Sequence, residues 1–371
     1  MKNRILRAVY FTLAFPLVVA SVPALSIRAE AVPSIGAAAA CLIESESGDV
    51  LYAKRENERR GMASTTKIMT AVLAIEALPL ETPITIREDC CHIEGSSLYL
   101  RAGEVLSLED LLFGLLLRSA NDAAMAIATA VDGSPDAFVA RMNKKAEELS
   151  LVDTHFDNPH GLDGPTHYTT ARELALLGAY CMKNPTFRRI VSTKRHTIAK
   201  GTESQRLLIN HNRMLTSYDG AIGIKTGFTK KCGRTLICAA EREGVTLIAV
   251  TLDAPNDWQD HARMLDYGFH ILSMKTILAP HQYTYELPIL GAPFATLTVY
   301  NEEAVSRIQR QDEKPPVIDV VLPRYLIAPL KKGDRVGEIR VRYPDGTKIV
   351  LPIVAAADAP FVKTKKHFSL F

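Results

Sequence analysis

Three short segments carry residue types that can perform acyl transfer: Ser64-Thr65-Thr66-Lys67, Ser119-Ala120-Asn121 and Lys225-Thr226-Gly227, each present once and in this order. A serine hydroxyl is a poor nucleophile until a base lies within hydrogen-bond reach. The i, i+3 spacing puts Ser64 and Lys67 on one helix face, about one turn apart. A lysine can act as that base only if its pKa falls. Desolvation on an apolar helix lowers it, and so does a second cation, for which Lys225 is the candidate. Ser64 is therefore the candidate nucleophile and Lys67 its general base. Ser119 would relay a proton between Lys67 and a leaving amine, while Asn121 would orient Lys67 or hold a substrate amide. The field of a helix N-terminus, with backbone N–H groups of Ser64 and of the Lys225 strand, would stabilise a developing oxyanion.

Taken singly, each segment has an ordinary structural reading: a capped helix start with a solvated lysine, two helix-end caps, and a strand end with a charged edge residue. The ordered set is what points to chemistry, and the surrounding sequence supplies suitable elements. Residues 64–77 are apolar on nearly every face beyond a polar first turn, the pattern of a helix buried inside a domain. Ser107 caps a helical run over 111–117, a second run covers 122–131, and Ser119 and Asn121 fall in the break between them. Thr170 and Glu173 repeat the capping signal ahead of 174–181. Residues 37–43 and 50–53 read as paired strands around a turn at Ser47-Gly48-Asp49. A strand over 222–229 precedes a hairpin of 234–240 and 245–252 around Glu243-Gly244. Strands at both ends with helices between predict an α+β domain whose antiparallel sheet joins the first and last segments.

The 371 residues, 47% hydrophobic and 23% charged, exclude a disordered or fibrous chain and leave room for two domains. A net charge of +3 makes no case for a nucleic-acid partner. Lys2, Arg4 and Arg7 ahead of the apolar run 8–25, with Ala29-Glu30-Ala31 as a small-x-small site, predict a cleaved leader over 1–31 and export. Near Thr276 helical periodicity gives way to short β-rich runs punctuated by turns at Lys332-Gly333-Asp334 and Pro344-Asp345-Gly346. The expected organisation is a catalytic domain over 32–278, a small all-β domain over 279–356, and a tail over 357–371. That tail places Phe361, Phe368, Leu370 and Phe371 among lysines that could touch an anionic membrane. Six cysteines lack the density of a disulfide scaffold and read as buried free thiols. Cys90-Cys91-His92 lacks zinc-ligand spacing.

With these motifs the chain resembles the low-molecular-mass penicillin-binding proteins that act as D-alanyl-D-alanine carboxypeptidases. The likeness extends to Asn158-Pro159-His160-Gly161-Leu162, His167-Tyr168-Thr169-Thr170-Ala171, Asn210-His211-Asn212 and the β-rich C-terminal part. It implies a penicillin-binding/β-lactamase-like serine transferase fold and a Ser64 acyl-enzyme. Lys67 would accept the proton, and Ser119 with Asn121 would complete the proton network. It further implies that Lys225 and Thr226, with Gly227 beside them, bind the substrate's terminal carboxylate, an apt task for a cation flanked by a hydroxyl. Peptidoglycan stem peptides are then the substrate and β-lactams covalent inhibitors, with no cofactor and no metal required. The chain has Ala120 where members often have glycine, and Phe228 where some carry histidine, which bears on efficiency and acceptor choice. His211 stands where some relatives have an arginine, leaving a carboxylate contact and a structural role both open.

Three other readings compete. A class A β-lactamase would need a glutamate to activate the deacylating water, for which Glu173 is the nearest candidate, although its spacing from Thr170 fits a cap. A transpeptidase differs only in passing the acyl group to an amine. A penicilloyl sensor or envelope-binding module would keep the serine without turnover, but such sensors normally carry membrane spans that this sequence does not show.

Overall fold

The computed structural model describes residues 32–363, so the expected leader over 1–31 and the end of the tail, 364–371, lie outside the described residues. Strands β1 (Ala39–Glu44) and β2 (Val50–Lys54) lead through a 3₁₀ turn, Ala63–Thr66, into α1 (Lys67–Ala77). The pair β3 (Pro83–Thr85) and β4 (Val105–Ser107) precedes α2 (Leu108–Leu117), α3 (Asn121–Asp132), α4 (Pro135–Glu148), α5 (Ala171–Met182) and α6 (Pro185–Ser192). A small hairpin, β5 (Arg195–Ile198) and β6 (Arg206–Ile209), and the short α7 (Met214–Ser217) come next. Then follow β7 (Ala221–Thr229), β8 (Gly233–Arg242), β9 (Val245–Leu252) and α8 (Asp257–Ile271). The remaining elements are strands: β10 (Leu272–Leu278), β11 (Thr284–Leu290), β12 (Thr296–Tyr300), β13 (Val305–Arg310), β14 (Val317–Val321), β15 (Leu326–Ile327), β16 (Arg335–Arg342) and β17 (Lys348–Ala355).

The first sheet has the order β2-β1-β9-β8-β7, every pair antiparallel, so the first strands meet the last as the α+β reading expects. Both faces are covered. Along β1, Ala39, Cys41 and Ile43 enter the core beneath α1 to α6, while Ala40 and Leu42 enter the core under α8. β8 and β9 alternate in the same way, with Ile237, Ala239, Ile248 and Val250 on one side and Leu236, Cys238, Leu247 and Ala249 on the other. A strand buried on both faces reads as an unbroken apolar run, which is why β1 looks uniformly hydrophobic in sequence. The β8–β9 turn places Glu243 and Gly244 at φ 49° and 79°, the paired positive values of a type I′ hairpin.

Helix starts follow the sequence signals. Ser107 Oγ accepts from Asp110 N, and Thr170 Oγ1 accepts from Glu173 N at 3.1 Å. Helices α4, α6, α7 and α8 have no counterpart among the expected elements. α4 buries only Phe138, Met142 and Ala146, a stripe at i, i+4, i+8 on an otherwise polar helix. Such a stripe is diluted in any window that also counts its solvated face.

The C-terminal part is all-β. A six-stranded sheet of order β14-β16-β17-β12-β11-β15 and the β10–β13 pair enclose a separate core around Val299, Ile339, Val341 and Ile353. β10 lies before the expected boundary at 279, yet its partner β13 lies beyond it, and Leu278 is buried in the C-terminal core. The pairing carries the β-rich part back to Leu272. All six cysteines are free; five are buried and Cys232 is half-exposed.

Helix α8 is held against the sheet by Gly268, where a Cβ would come within 2.6 Å of a Leu247 methyl and 2.8 Å of a Leu42 methyl. We expect Gly268→Leu to lose about 1–3 kcal/mol of stability through overpacking, read as a lowered denaturant midpoint with little change in slope.

Candidate active site

Ser64 sits in the 3₁₀ turn that opens onto α1, and local hydrogen bonds fix that turn. Thr65 Oγ1 donates to the Met62 carbonyl at 2.6 Å, and Thr66 Oγ1 donates to that of Ala63 at 2.7 Å. Thr66 Oγ1 also meets His167 Nε2 at 2.7 Å, tying the turn to the segment before α5. One residue on, Lys67 begins an α-helix whose first eight residues, Lys67 to Ala74, are all buried. Its ammonium-bearing chain is wholly enclosed.

Lys67 Nζ has three acceptors: Ser64 Oγ at 3.0 Å, Asn121 Oδ1 at 2.6 Å, and the His160 carbonyl. An ammonium would donate to all three. A neutral amine has two N–H bonds and one lone pair. Asn121 and the His160 carbonyl can only accept here, so the lone pair is directed to Ser64 Oγ. Asn121 is held in this orientation because its Nδ2 donates to the Glu94 carbonyl at 2.5 Å. The Lys67 pKa is pushed well below 10.5, chiefly by burial and further by the nearby Lys225 charge, with Asp122 opposing. Burial alone brings Lys225 down to about 7.

The His160 carbonyl is placed by the loop 158–162. Asn158 Oδ1 accepts from Gly161 N at 2.6 Å, its Nδ2 donates to Leu162 O at 2.8 Å, and Thr70 Oγ1 donates to Pro159 O at 2.6 Å. Gly161 adopts φ 93°, and any Cβ there would strike the Ala63 carbonyl, so the close approach to the serine turn requires glycine. Burial, Lys67 and His167 hold the His160 ring at a pKa of about 3, neutral through the physiological range.

A cleft of about 810 Å³ opens over Ser64. Of the nine candidate residues, Ser64, Ser119, Thr226, Gly227, Phe228 and His211 line it, whereas Lys67, Asn121 and Lys225 lie buried behind its wall. Ser119 occupies the α2–α3 break with φ 62°, and Asn121 is the first residue of α3 rather than part of the break. Gly227 brings β7 against the serine turn: a Cβ on it would lie 3.0 Å from Ser64 N. Phe228 is 63% exposed at the rim.

Lys225 lies deeper than its neighbours Thr226 and Gly227. It is 1% exposed, donates to the Thr226 carbonyl at 2.8 Å and is not among the residues lining the cleft. The cations that do line the cleft are Arg213 and Arg234. Arg234 sits opposite Phe228 in the β7–β8 register, is paired with the buried Asp257 at 2.9 Å, and lies over the Trp258 ring. Arg213 directly follows Asn210-His211-Asn212, so sequence proximity could have flagged it. Arg234 could be found only through the strand register. His211 lines the cleft, donates its backbone N–H to Leu117 O at 3.1 Å, and is held near pKa 4 by burial and by the Lys225 and Arg118 charges.

Glu173 is committed elsewhere. Its carboxylate accepts from Asp153 N at 2.9 Å and from Thr154 Oγ1 at 2.5 Å, and it does not line the cleft. Only the threonine half of the expected capping box forms. Neither reading leaves this acid to activate a deacylating water. Among the described residues, no group of three or more His, Cys, Asp or Glu is arranged to hold a metal.

A serine in the turn leading into a buried helix, a buried lysine hydrogen-bonded to it and a flanking β-strand define a penicillin-interacting serine acyl transferase on an α+β fold. Residues 26–256 match the model of the peptidase S11 family, D-alanyl-D-alanine carboxypeptidase, and the chain belongs to that family. It is similar to the D-alanyl-D-alanine carboxypeptidase DacF of Bacillus subtilis, at 29% identity over 87% of this chain and 85% of DacF. DacC of Escherichia coli is 33% identical over 83% of this chain and 80% of its own. Among solved structures, DacD from Francisella tularensis superposes with a TM-score of 0.65 at 26% identity, covering 91% of this chain and 96% of that one. The Streptomyces K15 DD-transpeptidase superposes at 0.61 with 33% identity, over 64% and 98%. The chain is a serine D-Ala-D-Ala carboxypeptidase acting on peptidoglycan, with β-lactams as covalent ligands.

The buried lysines tie this site to stability. An unfolded chain keeps the Lys225 proton up to about pH 10.4, whereas the folded chain releases it near 7. Between those values the unfolded state binds more protons, so stability rises with pH. We expect the denaturation free energy of the wild type to climb between pH 7 and 10 more steeply than that of Lys225→Met, measured by urea unfolding across that range.

Proposed function

We propose that Ser64 Oγ attacks the carbonyl carbon of the penultimate D-alanine of a peptidoglycan pentapeptide stem. Its proton passes to Lys67 Nζ as the O–C bond forms. Lys67 then returns the proton, by way of Ser119, to the departing amine as the C–N bond breaks and D-alanine leaves. Water attacks the Ser64 ester in the second half, and the same groups run in reverse. The observation that carries this reading is the Lys67 amine, whose two fixed acceptors leave its lone pair on Ser64 Oγ at 3.0 Å. Asn121 is a positioning residue for that amine. The Ser64 N–H and the adjacent β7 backbone suit the oxyanion, a role supported by the close approach of Gly227 to Ser64 N.

The substrate's terminal carboxylate meets Thr226, with Arg213 and Arg234 as the exposed cations, Lys225 buried behind the wall and a neutral His211 beside them. Phe228 covers the rim. The charged N-terminal residues, the apolar run and the small-x-small site support export and work on the extracytoplasmic face, with the 357–371 tail in contact with an anionic membrane. Among the described residues no helix is long and apolar enough to cross a membrane.

Incubating the mature chain with diacetyl-lysyl-D-Ala-D-Ala and measuring D-alanine release tests the assignment. Ser64→Ala should abolish both release and labelling by fluorescent penicillin, and Lys67→Ala should lower kcat/KM by at least about 10³-fold, the scale seen when a nucleophile's base is removed. Labelling retained in Ser64→Ala would overturn the nucleophile. The Lys225 charge lowers the Lys67 pKa, so Lys225→Met should move the acid limb of the kcat/KM–pH profile to higher pH; an unmoved limb would sink the coupling.

A further inference from the structure

A second groove of about 450 Å³ lies beside the catalytic cleft, lined in part by Tyr99, Arg118, Leu207 and Ile209. Three chain segments join the two. Ser96, Ser119 and Asn210 line the cleft, while their immediate neighbours Ser97, Arg118 and Ile209 line the groove. The groove therefore borders the substrate site along three segments.

Its wall is firmly built. The carboxylate of Asp122, fully buried at the start of α3, accepts from Leu98 N at 3.0 Å, Leu100 N at 3.1 Å and Ser97 Oγ at 2.6 Å. From the other side Arg206 donates to the Leu98 carbonyl at 2.9 Å while paired with Glu104 at 2.6 Å. Two charged groups thus fix a segment in which Leu98 and Leu100 are buried and Tyr99 remains 83% exposed. Tyr99 also has φ 57°, a left-handed value that a bulky residue rarely adopts. On β6 the alternation turns Leu208 into the core and leaves Leu207 and Ile209 63% and 48% exposed. The result is an aromatic ring and two aliphatic side chains rimmed by hydrogen-bonding groups. Such a surface matches a ligand with flat C–H faces and a polar edge.

We propose that this groove binds the amino-sugar strand of the peptidoglycan whose stem peptide occupies the cleft, making Tyr99 a specificity-determining residue for polymeric substrate. The inference rests on the carboxypeptidase reading of that cleft. A pyranose ring offers C–H groups to stack on Tyr99 and the aliphatic wall, and its hydroxyl and acetamido groups meet the polar rim. Adjacency to the cleft favours a part of the same molecule over an unrelated partner.

The test compares D-alanine release from a disaccharide-pentapeptide and from the same pentapeptide without sugars, using the full mature chain. Tyr99→Ala should lower kcat/KM about tenfold for the sugar-bearing substrate, the scale of one lost stacking contact, mainly through KM. It should leave the sugar-free pentapeptide unchanged, and Tyr99→Phe should restore most of the loss. Equal losses on both substrates would overturn the sugar assignment, and no loss on either would overturn the subsite. Penicillin labelling at wild-type rate confirms that each variant is folded; if Tyr99→Ala fails this control, Leu207→Asn replaces it under the same criteria. If the wild type releases D-alanine from neither substrate, the carboxypeptidase reading fails instead. Calorimetric affinity of Ser64→Ala for the disaccharide-pentapeptide, with and without Tyr99→Ala, then decides the groove separately.

Discussion

Enclosing the Lys67 amine is the constraint around which the site is organised. A buried ammonium is costly unless every proton finds an acceptor, and the cost is relieved when the group gives up its charge. Here the acceptors come from three separated parts of the chain: the serine turn, the start of α3, and the loop before α5. Removing any one would leave a polar atom stranded in an apolar setting. The same enclosure that threatens the fold lowers the Lys67 pKa, so burial and protonation are linked in one side chain.

Neighbouring loops are built to serve that amine. Asn158 closes the 158–162 turn on both sides and presents the His160 carbonyl, while Gly161 lets it approach the serine turn. Glu94 fixes the Asn121 amide, and the buried Asp122 one residue later ties down the 97–100 segment. One helix start thereby positions a hydrogen-bond partner of Lys67 and a wall of the neighbouring groove. The charge of Asp122 also moderates the depression of the Lys67 pKa, so its structural and electrostatic effects act on the same point.

The sheet supplies rigidity from beneath. β1, β8 and β9 are buried on both faces, and β7, at the edge beside the serine turn, inherits its position from β8 through a continuous antiparallel register. That register sets Arg234 opposite Phe228 and places a paired cation at the mouth of the cleft. The C-terminal strands form their own core. Among the described residues, none of these strands lines the cleft.

Sequence alone determined what depends on local chemistry and short-range periodicity. The capped starts of α2 and α5, the uniformly apolar α1, the Glu243-Gly244 hairpin and the change to β structure near residue 276 all follow from patterns within a dozen residues. The three motifs likewise named Ser64, Lys67, Ser119 and Asn121 because each residue type has few chemical uses at that spacing. Tertiary structure decided which groups face the cleft. It buried Lys225, brought Arg213 and Arg234 into the lining, supplied a backbone carbonyl at His160 as the third Lys67 acceptor, and committed Glu173 to Asp153 and Thr154. A carbonyl carries no mark in the sequence. Which way a strand residue faces is set by register, and register is fixed by packing between segments far apart in the chain.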